Sequence, residues 1–301
     1  MKRFFALSRT QHGIIDLSTT GFAALIWLGH FPGLGFTALA LLTAFAGYTS
    51  IYALNDLVGH KVDKEKHDGG VLQSGYSVEA SEDHHPLVQG VLSTKAAMAW
   101  MGFWFLVALV GSWLLNPIIV VILGIGCVFE IAYCKLLKVT HWRILLSGVV
   151  KSCGPIAAVF AVDPSPSLGF LVLIFAWVFM WEVSGQNIPA DWNDVEEDKR
   201  VGAKTIPARF GPGSAANVIM VAAVLTLLIG ASFPLFSPAS LGVPFSVASL
   251  AIGYFLLLSP AIHLWKTKDG KNAGGLFDKA SYYPAAMLAL IGLWILLTGL
   301  L

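Results

Sequence analysis

NIPADWNDVEEDKRVGAKTIPAR, residues 187–209, follows about twenty apolar residues without a break. If the preceding helix continues into it, Asn187, Asp191, Asp194 and Asp198 fall at i, i+4, i+7 and i+11 and share one face. Three carboxylates on one stripe repel each other unless a cation sits among them. An all-oxygen ligand set favours a hard ion such as Mg2+, which substrate phosphates commonly complete. A solvated acidic helix end satisfies the same pattern, so the rest of the chain has to decide.

Of the 301 residues, 56% are hydrophobic and only 12% charged, and the mean hydropathy is +0.73. That composition excludes an ordinary soluble domain and predicts an integral membrane protein. A net charge of +1 and the absence of any block of like charge give no support to a nucleic-acid partner. Cys127, Cys134 and Cys153 lie in or beside apolar runs with no metal-ligand spacing, and read as reduced packing residues. The first apolar run is long and lacks a small-residue cleavage motif, so no cleavable signal peptide is expected.

Nine apolar runs of bilayer length are expected, at 14–31, 36–54, 96–115, 117–134, 144–162, 167–186, 215–235, 243–265 and 281–300. The connections after the first, third, fifth and seventh carry no Lys or Arg, and all but one of the 19 basic residues lie on the other side. The exception is Lys151, inside the fifth run. The positive-inside rule then predicts a cytoplasmic N-terminus and cytoplasmic charged loops. The expected architecture is an all-α polytopic membrane protein, one domain over 1–301, with charged loops at 55–95 and 187–213. An insert from Asp68 to His85 has no apolar periodicity and reads as a surface loop or a lid. His67, His84 and His85 lack metal-ligand spacing.

The second run ends in Asn55 and Asp56 and continues to Asp63, seven residues on and so on the same face as Asp56. This is a second acidic stripe, on the same side of the membrane as the first. Carboxylates at a span end are costly in hydrocarbon, so they usually face a bundle interior and serve a function. Two such stripes across a cavity are suited to Mg2+ ions that bridge a diphosphate. Glu130, Glu182 and Lys151 also lie within apolar runs. The two acids either pair with Lys151, the plainer reading, or hold a polar head group; Lys151 faces the cavity or snorkels to the cytoplasm.

These residues resemble the UbiA superfamily of intramembrane prenyltransferases, with nine transmembrane helices and two Asp motifs. Asn55, Asp56 and Asp63 match its NDxxDxxxD motif, with Gly59 in place of the middle aspartate. Asp191, Asp194 and Asp198 match the second motif, and Gly202, Thr205, Pro207 and Gly211 match the G..T.P...G tail. His85-Pro86-Leu87 resembles an Arg-Pro-Leu segment, and Tyr133 with Lys138 resembles a Tyr and Lys pair after the fourth helix.

The resemblance implies a Mg2+-dependent transfer of an isoprenyl group from a polyprenyl diphosphate to a hydrophobic, aromatic or lipid acceptor, with release of pyrophosphate. Asp56, Asp63, Asp191, Asp194 and Asp198 would hold the metal. Asn55, Asn187, Tyr133, Lys138, Lys151, Lys204 and Arg209 would bind substrate, and Tyr52, Tyr133 and Trp192 are candidates to shield an allylic cation. A terpene cyclase needs no acceptor, and a lipid transporter or scaffold needs no chemistry. Transport predicts polar or broken helices at mid-bilayer, whereas the polar groups here cluster at one face.

Overall fold

The computed structural model describes residues 1–68 and 86–299, and the described residues contain no strand. A short α1 (Lys2–Leu7) leads into α2 (Thr10–Leu28), α3 (Leu34–Asp68), α4 (Thr94–Leu115), α5 (Pro117–Lys135), α6 (Arg143–Val162) and α7 (Leu168–Trp181). A π-helix, Glu182–Asn187, joins α7 to α8 (Ile188–Asn193) and α9 (Val195–Val201). There follow α10 (Ile206–Ser232), α11 (Gly242–Gly253), a second π-helix (Tyr254–Leu258), α12 (Ser259–Thr267), α13 (Gly270–Ser281) and α14 (Tyr283–Gly299).

Among the described residues, 8 helical segments are long and apolar enough to cross a bilayer. The run expected at 14–31 corresponds to α2, which has 19 residues but is diluted by Gln11, His12, Asp16 and the run Ser18, Thr19, Thr20. Apart from Gln11, which is exposed, those groups turn inward. Asp16 and all three hydroxyl residues are buried, and each hydroxyl donates to a carbonyl of its own helix three residues back.

Within the two stretches expected as charged loops, the described segments that carry the acidic residues are helical. α3 runs unbroken for 35 residues to Asp68, and α7 passes through the π-helix into α8 and α9, so both acidic stripes are carried on helices. Of the expected insert, everything after Asp68 lies outside the described residues, including His84 and His85; so does the side chain of His67.

Successive helices pack in turn, and α14 returns against α2, which also touches α3 and α6, so the bundle closes on itself. One core, around Phe22, Phe170, Trp177, Phe233 and Tyr283, ties α2, α7 and α14 together; Trp177 Nε1 donates to Tyr283 OH at 3.0 Å. A second core, around Ile188, Trp192, Ile219, Leu264 and Leu276, seats α8 against α10, α12 and α13. The turns obey local chemistry. Asn116 caps α5 by accepting from the Ile118 amide at 3.1 Å, with Pro117 in the first turn.

The outer surface is apolar, as lipid contact requires. On α4, Phe103, Leu106, Val110 and Trp113 form an exposed stripe at helical spacing, while Ala108, Gly111 and Ser112 are buried on the opposite face. A Cβ at Gly111 would stand 2.0 Å from Thr43 Oγ1, so α3 and α4 approach as closely as they do only because that position has no side chain. Gly111→Val should therefore destabilise the detergent-solubilised protein by about 1–3 kcal/mol through overpacking. Gly102→Val, where nothing lies within 4 Å, should leave the melting temperature unchanged in the same scan.

Candidate functional site

The two acidic stripes lie at one end of the bundle, on α3 and on α8 with α9, and the basic groups between them hold them together. Lys66, on the last turns of α3, reaches across to α9 with its Nζ 2.7 Å from Asp198 Oδ1 and 3.8 Å from Asp194 Oδ2. Asp198 is 1% exposed, and its other oxygen accepts from Thr205 Oγ1 at 2.8 Å. Arg143, at the start of α6, places Nη1 3.8 Å from Asp191 Oδ1 and lies over the Tyr133 ring at 3.9 Å. Arg9 Nη2 stands 3.7 Å from Asp56 Oδ1, and Asp56 is also buried. Asp63 lies in the field of the same Lys66, Arg9 and Arg143.

This arrangement fits a hard divalent cation in its donor chemistry. All the acidic groups offer oxygen, and each stripe is balanced by a basic side chain. Among the described residues, no three acidic, histidine or cysteine groups gather into a ready-made cage. Phosphate oxygens and water would have to complete the coordination, which is the usual habit of Mg2+. Desolvation, with the carboxylates of Asp198 and Glu197, holds Asp194 above the usual carboxylate range against the pull of Lys66. With 53% of its side chain exposed, Asp194 is also the acid on which solvent screening acts most. At Gly59, a Cβ would meet Asp63 Oδ2 at 2.9 Å. The Asp63 carboxylate therefore folds back over the turn from which the motif's middle acid would project.

Beneath the stripes runs a cavity of about 500 Å3, within the range of small-molecule sites. It is lined along α3 from Phe36 to Asn55, a stretch of about 28 Å at 1.5 Å per residue. One end is apolar, with Phe31, Phe36, Leu115 and Val162; the other carries Tyr52, Asn55, Tyr133, Lys151 and Asn187. The polar end is cross-linked by hydrogen bonds. Asn55 Nδ2 donates to Glu130, and Asn187 Nδ2 donates to Tyr133 OH at 2.8 Å. Lys151 Nζ bonds to Asp16 and, at 2.8 Å, to Tyr52 OH, which itself donates to Asp16.

Not every residue expected at the site reaches it. Lys138 pairs with Glu65 on α3, and Arg209 Nη1 bonds to His141 Nδ1 at 3.1 Å. Lys204 and Arg209 line a separate surface hollow with Lys199. Trp192 is buried in the second core and does not line the cavity. The lysine in the fifth run takes as its ion-pair partner Asp16, not the Glu130 or Glu182 of the plainer reading. Lys66, Arg143, Arg9 and Asp16 also belong to the site, with His12 Nε2 3.7 Å from Asp16 Oδ1, though their roles there are not evident from the sequence. Asp16 carried a signal, as a lone carboxylate within an apolar run; Lys66 lies one turn beyond Asp63 on the same helix face.

If Lys66 neutralises the second stripe, Lys66→Met should cost about 3 kcal/mol, because it leaves a buried carboxylate uncompensated. Added Mg2+ should raise the melting temperature of this variant more than that of the wild-type chain. Equal Mg2+ responses in the two proteins would count against a cation site at the stripe.

Comparison with known proteins identifies the family and the fold. The family model for the UbiA prenyltransferase family matches residues 17–283. The digeranylgeranylglyceryl phosphate synthase of Thermococcus kodakarensis is 23% identical over 96% of this chain and 97% of its own length. A UbiA homologue from Aeropyrum pernix K1, solved in its apo form, superposes with a TM-score of 0.73 at 17% identity, over 97% of this chain and 98% of its own. A UbiA homologue from Archaeoglobus fulgidus, solved bound to GPP and Mg2+, gives 0.67 at 16% identity, over 96% and 99%. On the extent of the family match and the shared fold, the chain belongs to the UbiA prenyltransferase family.

Proposed function

We propose that this chain transfers an isoprenyl group, in a Mg2+-dependent reaction, from a polyprenyl diphosphate to a hydrophobic, aromatic or lipid acceptor within the bilayer, releasing pyrophosphate. The observation that carries the reading is an apolar cavity, lined by about 28 Å of α3, whose polar end lies beneath two acidic stripes on separate helices. The Archaeoglobus relative, which holds GPP and Mg2+, supports the choice of donor and ion. Asp56, Asp63, Asp191, Asp194 and Asp198 are the residues that would hold the metal. Bound there, Mg2+ supplies Lewis-acid neutralisation of the diphosphate and of the departing pyrophosphate.

The chain's own groups account for the remaining work. Lys66, Arg143 and Arg9 stand beside the carboxylates at the mouth, where they would donate to the phosphate oxygens of a bound diphosphate. Tyr52 and Tyr133 line the cavity below, where a ring face stabilises an allylic cation; Arg143 covers one face of Tyr133, which leaves the other. The apolar walls keep water from capturing the cation. The distribution of Lys and Arg supports a cytoplasmic mouth.

Purified protein incubated with Mg2+, prenyl diphosphates and membrane lipid extract should release pyrophosphate and form a prenylated lipid identifiable by mass spectrometry. Asp56→Ala and Asp191→Ala should each lower that turnover by about 100-fold or more while the protein stays folded in detergent; full activity in either variant would refute the site.

The length of the cavity makes a separate demand. Each additional buried methylene contributes about 0.8 kcal/mol, so geranylgeranyl diphosphate should show a KM well below that of geranyl diphosphate. Equal KM values would mean that the cavity does not hold the tail.

A further inference from the structure

The α7 segment does not run straight into the acidic stripe. It passes through the π-helix Glu182–Asn187, all of whose residues are buried, and single wide turns of this kind are commonly found at functional sites. Glu182, Gln186 and Asn187 of this turn line the cavity; Gln186 donates to Ser281 Oγ, and Glu182 and Asn187 are 3% and 6% exposed. Both are tied to Ser147 of α6. Ser147 Oγ donates to Glu182 Oε1, and Asn187 Nδ2 donates to Ser147 Oγ at 3.1 Å.

That chain fixes the direction of both Ser147 contacts. Ser147 has one hydroxyl proton and Glu182 takes it, so the contact with Asn187 has to be donated by the amide. What remains is Glu182 Oε2 and Asn187 Oδ1, both buried and neither in a hydrogen bond among the described residues. A bare buried acceptor is unfavourable. Two of them, held one serine apart on the wall of a cavity, define what would satisfy them. The basic groups nearby are already engaged, Lys151 with Asp16 and Arg9 with Asp56, and an anionic head group would face the Glu182 carboxyl.

We propose that Glu182 and Asn187 form the acceptor subsite, and that it takes a neutral head group carrying two hydroxyls in preference to a carboxylated or phosphorylated one. An aromatic hydroquinone and a glyceride diol share that chemistry. The assignment rests on the prenyl-transfer reading and names the class of its acceptor.

The test is calorimetric titration of the purified full chain, without Mg2+ or donor, using 1,4-dihydroxynaphthalene, monooleoylglycerol and 1,4-dimethoxynaphthalene. One of the dihydroxy probes should bind, and its identity separates the aromatic source from the glyceride. The dimethoxy compound, which has no hydrogen to donate, should bind at least tenfold more weakly. Glu182→Gln keeps the acceptor for Ser147 but replaces the bare oxygen with an NH2 donor. It should weaken the bound probe at least tenfold without moving the melting temperature. Equal binding of the dimethoxy compound, no binding of either dihydroxy probe, or an unaltered affinity in Glu182→Gln overturns the subsite. Pyrophosphate release by the same preparation with Mg2+, geranylgeranyl diphosphate and lipid extract separates the two failures. If release persists, only the acceptor assignment falls; if release is absent while the dihydroxy probe binds, the transferase reading falls.

Discussion

Carboxylates at the end of a membrane helix have to be neutralised, and the geometry of this protein follows from how that is done. Asp56 and Asp198 are both buried, at a depth where an unpaired charge is costly. Each is met by a basic side chain from a distant part of the chain, Arg9 for Asp56 and Lys66 for Asp198. Lys66 belongs to the same helix as Asp56 and Asp63, so its reach to Asp194 and Asp198 bolts the end of α3 to α9. The acidic clusters are thus more than ligands in waiting. Their repulsion sets a demand for positive charge that basic side chains meet in this structure.

The same economy governs the polar end of the cavity. Lys151, in the middle of an otherwise apolar α6, is tolerable because Asp16 and Tyr52 close around its ammonium group. Asn55 is held by Glu130, and Asn187 by Tyr133 and Ser147. Each of these links joins helices far apart in sequence, so the network fixes the spacing of α2, α3, α5, α6 and the first π-helix around the cavity. A polar collar above a long apolar cavity suits chemistry in which a charged leaving group departs at the mouth and the cation it leaves behind, just below, is shielded from water by the apolar walls.

Much of this was readable in the sequence because it is local. Apolar runs of bilayer length, their asymmetric flanking charges and the i, i+4, i+7 placement of Asp191, Asp194 and Asp198 all depend on neighbours in the chain. The expectation of a continuing helix agrees with the unbroken α3 for the first stripe, whereas the second is carried past a π-helix and a break at Asp194 between α8 and α9. The counter-ions were not readable, because their partners are set by packing. Lys151 meets Asp16 from 135 residues away, and Lys138, expected at phosphate, pairs instead with Glu65. The π-helix has no periodic signature in so short a stretch, so nothing in the order of residues announces that Glu182 and Asn187 converge on Ser147. Polar α2 is a milder case: its hydroxyls and Asp16 lowered its hydropathy, yet Asp16 marks the face that meets Tyr52 and Lys151.

The central claim is that a diphosphate binds at the acidic mouth only together with a divalent ion. The direct measurement is titration of the purified chain with geranylgeranyl thiodiphosphate, a donor analogue that resists ionisation, in the presence of Mg2+ and in the presence of EDTA. The account predicts saturable binding with Mg2+ and none in EDTA, since five carboxylates would otherwise repel the ligand. Binding of equal strength in EDTA would contradict it, and would assign the diphosphate to the basic side chains alone.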